Sequence, residues 1–233
     1  MRKALMLFLM VLFSSSMVFP GALFEVATAA VEATVDTLEL SIKVPYVFGY
    51  SNFVVEKWLN SLIWENTSGF VRETLEQTVK SLKAVEETGG DASAYRGVAY
   101  VRGEIFAASK KYLSVVLEFY AYVPPAAHGS VEKRSFNVDL ERGVFQDFYE
   151  LFSRDQEKII KKNIIKRIEK EPQRFFSEAV KIVEGYRFRD NFYLDEDAVV
   201  VFFKEYEISP GYVGVPEFRI PFSELDFSLC DEE

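Results

Sequence analysis

Apolar and polar positions alternate across 35–47. Leu38, Leu40, Ile42 and Val44 fall on one side and Thr37, Glu39, Ser41 and Lys43 on the other, the period of a half-buried strand. At Ser51, a candidate N-cap, the period becomes helical, with Val54, Val55, Trp58, Leu59, Leu62 and Ile63 on one face. A break is expected at 66–69, after which Val71, Leu75, Val79, Leu82 and Val85 carry the helix to a stop at Gly89-Gly90. Trp58 at this spacing reads as core, and ligand stacking by Trp58 or Trp64 is the alternative. Residues 95–123 read as a hairpin of two long strands meeting at Ser109-Lys110-Lys111, and 130–140 as another strand turning at Glu141-Arg142-Gly143. A helix is expected over 155–170, with Ile159, Ile160, Ile164 and Ile168 toward a sheet and Pro172 ending it. Its outward face is rich in Lys and Arg, with Glu157, Glu169 and Glu171 interspersed, and reads as a solvated helix side. A shorter helix over 175–183 follows.

The stretch 191–221 is the most informative. It reads as a strand, an acidic turn at Asp195-Glu196-Asp197, a strand over 198–206, a surface loop over 208–216 and a last strand over 217–221. Val199, Val200, Val201, Phe202 and Phe203 run without alternation, which points to a strand covered on both faces, by helices on one of them. The loop combines Tyr212 with two Gly and two Pro, and Tyr206 leads into it. That composition suits either a recognition surface or a packed structural loop. The fold expected is a single α+β domain over 30–233, an antiparallel or mixed sheet with helices mainly on one face.

Met1-Arg2-Lys3, an apolar run over 4–13, Pro20-Gly21 and the small residues Ala27-Thr28-Ala29 form a signal-peptide pattern over 1–29, with cleavage near Ala29. An uncleaved anchor is the alternative, and a membrane is a partner only in that case. Both place the remainder outside the cytoplasm, as a periplasmic, secreted or cell-surface domain. A hydrophobic content of 49%, with 22 Phe and 12 Tyr, excludes a disordered chain. The net charge of −9, without a basic stripe, argues against nucleic acid and suits a cationic partner. The single cysteine, Cys230, allows no internal disulfide, so the fold rests on its core. One His and four Gln beside many Glu and Lys give a thermophile-like composition.

Chemistry-bearing patterns are sparse. The sequence has no nucleophile elbow, metal-binding His pair, Cys pair or phosphate-cradling glycine loop. One His and one Cys, far apart, give no expectation of a metal or cofactor, and no catalytic residue is assigned. His128 is either a general base or pH-sensitive contact, or a pin for the loop between two strands. With Tyr206, Glu207, Tyr212 and Glu217 it makes up the candidate ligand-binding set, since Tyr and carboxylates suit recognition of a basic protein or a sugar.

Two runs carry a family resemblance: YEISPGYVGVPEFRIPFSEL at 206–225 and YAYVPPAAHGSVEKRSFNVDLERGVFQDFYELF at 120–152. The second has the pattern of a small-residue loop ending in Ala127-His128, a strand closing in Asn137-Val138-Asp139-Leu140, a Gly turn, and a helix entry from Asp147 to Leu151-Phe152. Together they resemble the RsiV-type extracytoplasmic domain of anti-sigma factors, also found beside the catalytic domain of PdaC-type peptidoglycan deacetylases. That family's loop usually carries Gly-Gly before Ala-His, whereas here it reads Pro124-Pro125-Ala126-Ala127-His128. The resemblance implies a non-enzymatic cell-envelope binding domain, with peptidoglycan or a cationic protein such as lysozyme as the ligand class. Only three residues precede the apolar run, so no sigma-binding segment is expected, and the sequence stops at Glu233, so no deacetylase domain is expected to follow. The alternatives are an envelope hydrolase using His128 with carboxylates, and a structural or assembly protein using an exposed sheet edge.

Overall fold

The computed structural model describes residues 14–18, 24–107 and 111–227. The apolar run at 4–13, Ser109-Lys110 of the expected hairpin turn, and Cys230 lie outside the described residues. Seven strands are hydrogen-bonded in chain order: β1 (Ser14–Val18), β2 (Glu25–Val35), β3 (Leu38–Phe48), β4 (Gly97–Ala107), β5 (Tyr112–Tyr122), β6 (Ser130–Asp139) and β7 (Val144–Phe145). A second sheet has the order β10 (Glu217–Pro221), β9 (Ala198–Phe202), β8 (Phe192–Leu194), all antiparallel. The fold is therefore α+β with a mixed sheet, since β3 and β4 are parallel. The chain forms two compact units, one containing Leu23–Glu104 and Leu117–Val131, the other Ile105–Val116 and Glu132–Glu233.

In the first unit the parallel pair requires a crossover, which α1 (Phe53–Glu87) supplies. Asn52, not Ser51, is its cap: the Asn52 side chain accepts from the Val55 amide. The break expected at 66–69 does not occur. Asn66 returns its side-chain amide to the Leu62 carbonyl, Gly69 keeps helical backbone, and one helix of 35 residues results. Its buried stripe runs Val55, Leu59, Ile63, Thr67, Thr74, Thr78, Leu82, the spacing of a single helix face. Asn60 grips β3 by accepting from the Val47 amide at 2.9 Å and donating to the Val47 carbonyl at 2.7 Å. Trp58 is half-buried, as its spacing suggests, whereas Trp64 is 63% exposed. β2 runs through Ala27-Thr28-Ala29, the expected cleavage point, paired residue by residue with β3.

In the second unit the apolar run at 199–203 is covered on both faces, as its lack of alternation predicts. Val199, Val201 and Phe203 join Ile160, Ile164 and Ile168 of α3 (Arg154–Lys170) and Val183 of α4 (Ala179–Gly185) in one core. Val200 and Phe202 pack on the opposite side with Val116 and Tyr193. The helix expected over 175–183 starts late: the Phe176 amide is committed to the Ile208 carbonyl, and α4 begins only at Ala179. The strand expected over 198–206 stops at Phe202, because beyond it backbone donors turn to the following loop.

The residues that carry the family pattern at 120–152 do structural work. Asn137 donates to the Phe192 carbonyl and accepts from Ser114, whose hydroxyl in turn takes the Leu194 amide, all of it buried. Asp139 accepts from the amides of Glu141 and Arg142, fixing the turn before Gly143. Asp147 and Glu150 form a reciprocal capping box on α2 (Phe148–Leu151), whose Phe148 is fully buried.

Candidate functional site

Of the five candidate residues, His128 falls on a loop of the first unit, Tyr206, Glu207 and Tyr212 on a loop of the second, and Glu217 at the start of β10. In the first unit, β5 leads into the 123–129 loop. The Ala126 amide turns back to the Val123 carbonyl, and Ser81 of α1 donates to the Pro124 carbonyl, so helix and loop are tied. His128 is exposed, with Nδ1 2.8 Å from the Gly129 carbonyl. The contact is with the neighbouring backbone, and Nδ1 is the donor in the tautomer that makes it a hydrogen bond. Beneath it, the Tyr120 ring lies so close over Gly129 that a Cβ there would meet it at 2.4 Å, so the close approach requires glycine. Tyr120 stacks on Tyr100 of β4, with centroids 5.7 Å apart and planes at 26°. Tyr100 is exposed, so an aromatic platform faces solvent beside the His128 loop.

In the second unit, the 203–217 loop is held from below. Ile208 and Ser209 are fully buried. The Glu207 carboxylate accepts from the Lys204 amide at 2.8 Å while the Glu207 amide returns to the Lys204 carbonyl at 3.1 Å. Tyr186 donates its hydroxyl to the same carboxylate, and burial, with the Glu207 charge second, raises the Tyr186 pKa far above the ordinary tyrosine range. Glu207 is thus an internal staple. Glu217, on β10, pairs with Lys133 of β6 and is likewise engaged.

The two tyrosines differ from these acids. Tyr206 has φ of 65°, a left-handed conformation uncommon for an aromatic residue, and its ring rests on Gly211, where a Cβ would collide with it. It is 51% exposed. Tyr212 is 76% exposed and anchors only its hydroxyl, on the Gln173 carbonyl. The turn between them closes through the Val213 and Gly214 amides, with Gly214 at φ 72°. The structure therefore groups Tyr206, Glu207 and Tyr212 on one braced loop and puts His128 on another. Sequence composition marked the loop, but the bracing by Tyr186 and the Tyr100–Tyr120 pair are contacts between distant segments that no local pattern carries. Among the described residues no group of three His, Cys, Asp or Glu side chains is placed to hold a metal, and no helix is long and apolar enough to cross a membrane.

Residues 149–223 match the family described as "Protein of unknown function (DUF3298)". Over those residues the chain matches the DUF3298 pattern, and over most of its length it is similar to RsiV and PdaC. It is 24% identical to the anti-sigma-V factor RsiV of Bacillus subtilis (strain 168) over 206 residues, covering 84% of this chain and 67% of RsiV. It is also 24% identical to the peptidoglycan-N-acetylmuramic acid deacetylase PdaC of the same organism over 192 residues, 80% of this chain but 39% of PdaC. Among solved structures, a DUF3298 family member from Bacteroides fragilis NCTC 9343 superposes with a TM-score of 0.66 at 20% identity, covering 91% of this chain and 95% of that one. A family member from Pseudomonas aeruginosa PAO1 gives 0.55 at 16% identity, covering 86% and 92%. These likenesses show the fold that the chain shares with those two proteins.

Proposed function

We propose that this chain is an extracytoplasmic binding domain that engages a cationic protein of the lysozyme type through its 203–217 loop, without chemistry of its own. The observation carrying this reading is the pair Tyr206 and Tyr212, exposed on a loop whose backbone is fixed by the Glu207 staple and the buried Ile208-Ser209. Tyrosine offers large contact area at low entropic cost, and a loop already ordered loses little freedom on binding. The charge of −9 steers a basic partner toward the molecule and sets association rate more than affinity. The relationship to RsiV, an anti-sigma factor by name, supports protein recognition rather than turnover. The test is calorimetric titration with a cationic lysozyme at low and high salt. The wild type binds, more weakly as salt rises, and Tyr206→Ala/Tyr212→Ala weakens it by about tenfold or more with the fold intact. Equal binding by wild type and double variant, or none at low salt, refutes the proposal.

A glycan reading is favoured by one other observation, the Tyr100–Tyr120 pair beside the His128 loop. A stacked pair with Tyr100 exposed and Tyr120 half-buried suits the apolar face of a sugar. PdaC, named for action on peptidoglycan, is the relative that motivates it. Co-sedimentation with intact wall glycan that is lost in Tyr100→Ala, and a turnover assay with His128→Ala, separate binding from hydrolysis.

A further inference from the structure

Two cations of α3 are paired with acids on the helix, and the others are not paired with any described residue. In the first half, Lys158 pairs with Asp155 at 2.8 Å and Lys161 with Glu157 at 3.0 Å. In the second half Lys166, Arg167 and Lys170 form no ion pair with any described residue, and Glu171, the nearest acid after the helix, is taken by Arg174. The interspersed acids seen in the sequence therefore do not neutralise this end. Lys166, Arg167 and Lys170 line a groove of about 290 Å³ with Asn163 on one side and Arg219 of β10 on the other. Arg219 is oriented by Asp195 and Asp197 of the acidic turn. The floor is apolar, from Phe218, Ile220 and Pro221, and Glu224 is the one acid in the lining. Arg167 and Lys170 offset the half charge at the helix C-terminus, but the cations there exceed that need.

We infer that this groove is a binding site for a single phosphate ester of a sugar or polyol. The charges set the class. Lys166, Arg167, Lys170 and Arg219 face one lining acid, Glu224, and with Asp195 and Asp197 set against Arg219 a positive excess remains, from which a phosphate monoester of about −2 gains more than a singly charged carboxylate. Arg supplies planar paired donors for phosphoryl oxygens and Lys a point charge, while the apolar floor accepts the carbon side of a sugar or polyol. The size of the groove and the net charge of −9 select against an extended polyanion or an anionic bilayer, which the rest of the molecule repels.

The test is titration of the full chain with glycerol 1-phosphate, followed by amide chemical shifts, with acetate and phosphatidylglycerol vesicles as parallel arms. The expected result is saturable shifts at 163–170 and 217–224 in the millimolar range with the phosphate ester. Binding falls by about tenfold in Lys166→Gln/Lys170→Gln and, separately, in Arg167→Gln. These side chains are exposed, so circular dichroism and urea midpoints stay near wild type. The inference is overturned if the ester produces no saturable shifts or if acetate binds as well. It also falls if both variants bind unchanged or if only the vesicles bind. None of these outcomes bears on the lysozyme proposal, which rests on Tyr206 and Tyr212, neither of which lines the groove.

Discussion

Tyr206 occupies a backbone conformation that costs an aromatic residue free energy, and Glu207 beside it spends its carboxylate on a backbone amide and a tyrosine hydroxyl. Both choices favour one loop shape over many. The Tyr186 hydroxyl gives that shape a pH signature. Its pKa is raised in the folded state by burial and by Glu207, so the native protein holds this proton where the unfolded chain has lost it. The contribution is fully present below the ordinary tyrosine pKa of about 10 and declines as pH rises beyond it. Urea midpoints measured between about pH 9 and 11 should therefore fall more steeply for wild type than for Tyr186→Phe. Equal slopes would mean that Tyr186 is not held against Glu207. At the other loop, Gly129→Ala forces Tyr120 off its seat. A loss of about 1–3 kcal/mol in urea denaturation is expected, and a neutral result would show that the ring has room to move.

At the scale of elements, the expected break in α1 turned on Asn66 and Gly69, both poor helix formers. Propensity lost because the buried stripe on either side shares one helical face, and packing outweighs a fraction of a kcal/mol per residue. Gly69 has open space where a Cβ would sit and no positive φ, so Gly69→Ala should stabilise the protein by about 0.5–1 kcal/mol in thermal or urea unfolding. A real break at this position would make the substitution neutral or harmful. The buried Asn137 is the opposite case. Asn137→Ala leaves the buried Ser114 hydroxyl without its acceptor and takes one of two donors from the Phe192 carbonyl, which keeps Ser135, and a cost of about 1–3 kcal/mol is expected from the same measurement. The unbroken apolar run at 199–203 was legible as a doubly covered strand because its composition alone states that both faces are dry. The length of β9 was not, since its end is set by Glu207 reaching back to Lys204, a side-chain contact absent from any periodicity.

For the molecule as a whole, the mixed α+β class followed from alternation at 35–47, the long helical stretch after it and the closing strands. The parallel β3–β4 pair follows from joining two strands through a long helix. The site was less legible. Tyr206 and Tyr212 stood out by residue type, and the structure leaves them exposed, but Glu207 and Glu217 looked equally suited to recognition and are engaged internally. A carboxylate's partner lies elsewhere in the chain, whereas an exposed ring on a Gly- and Pro-rich loop is a local property. The most direct test of the binding role is hydrogen–deuterium exchange of the full chain with and without saturating cationic lysozyme. Amides across 204–214 should slow by about tenfold or more in the complex, with α1 unchanged. An unaltered exchange pattern across that loop, or protection confined to other surfaces, would contradict it.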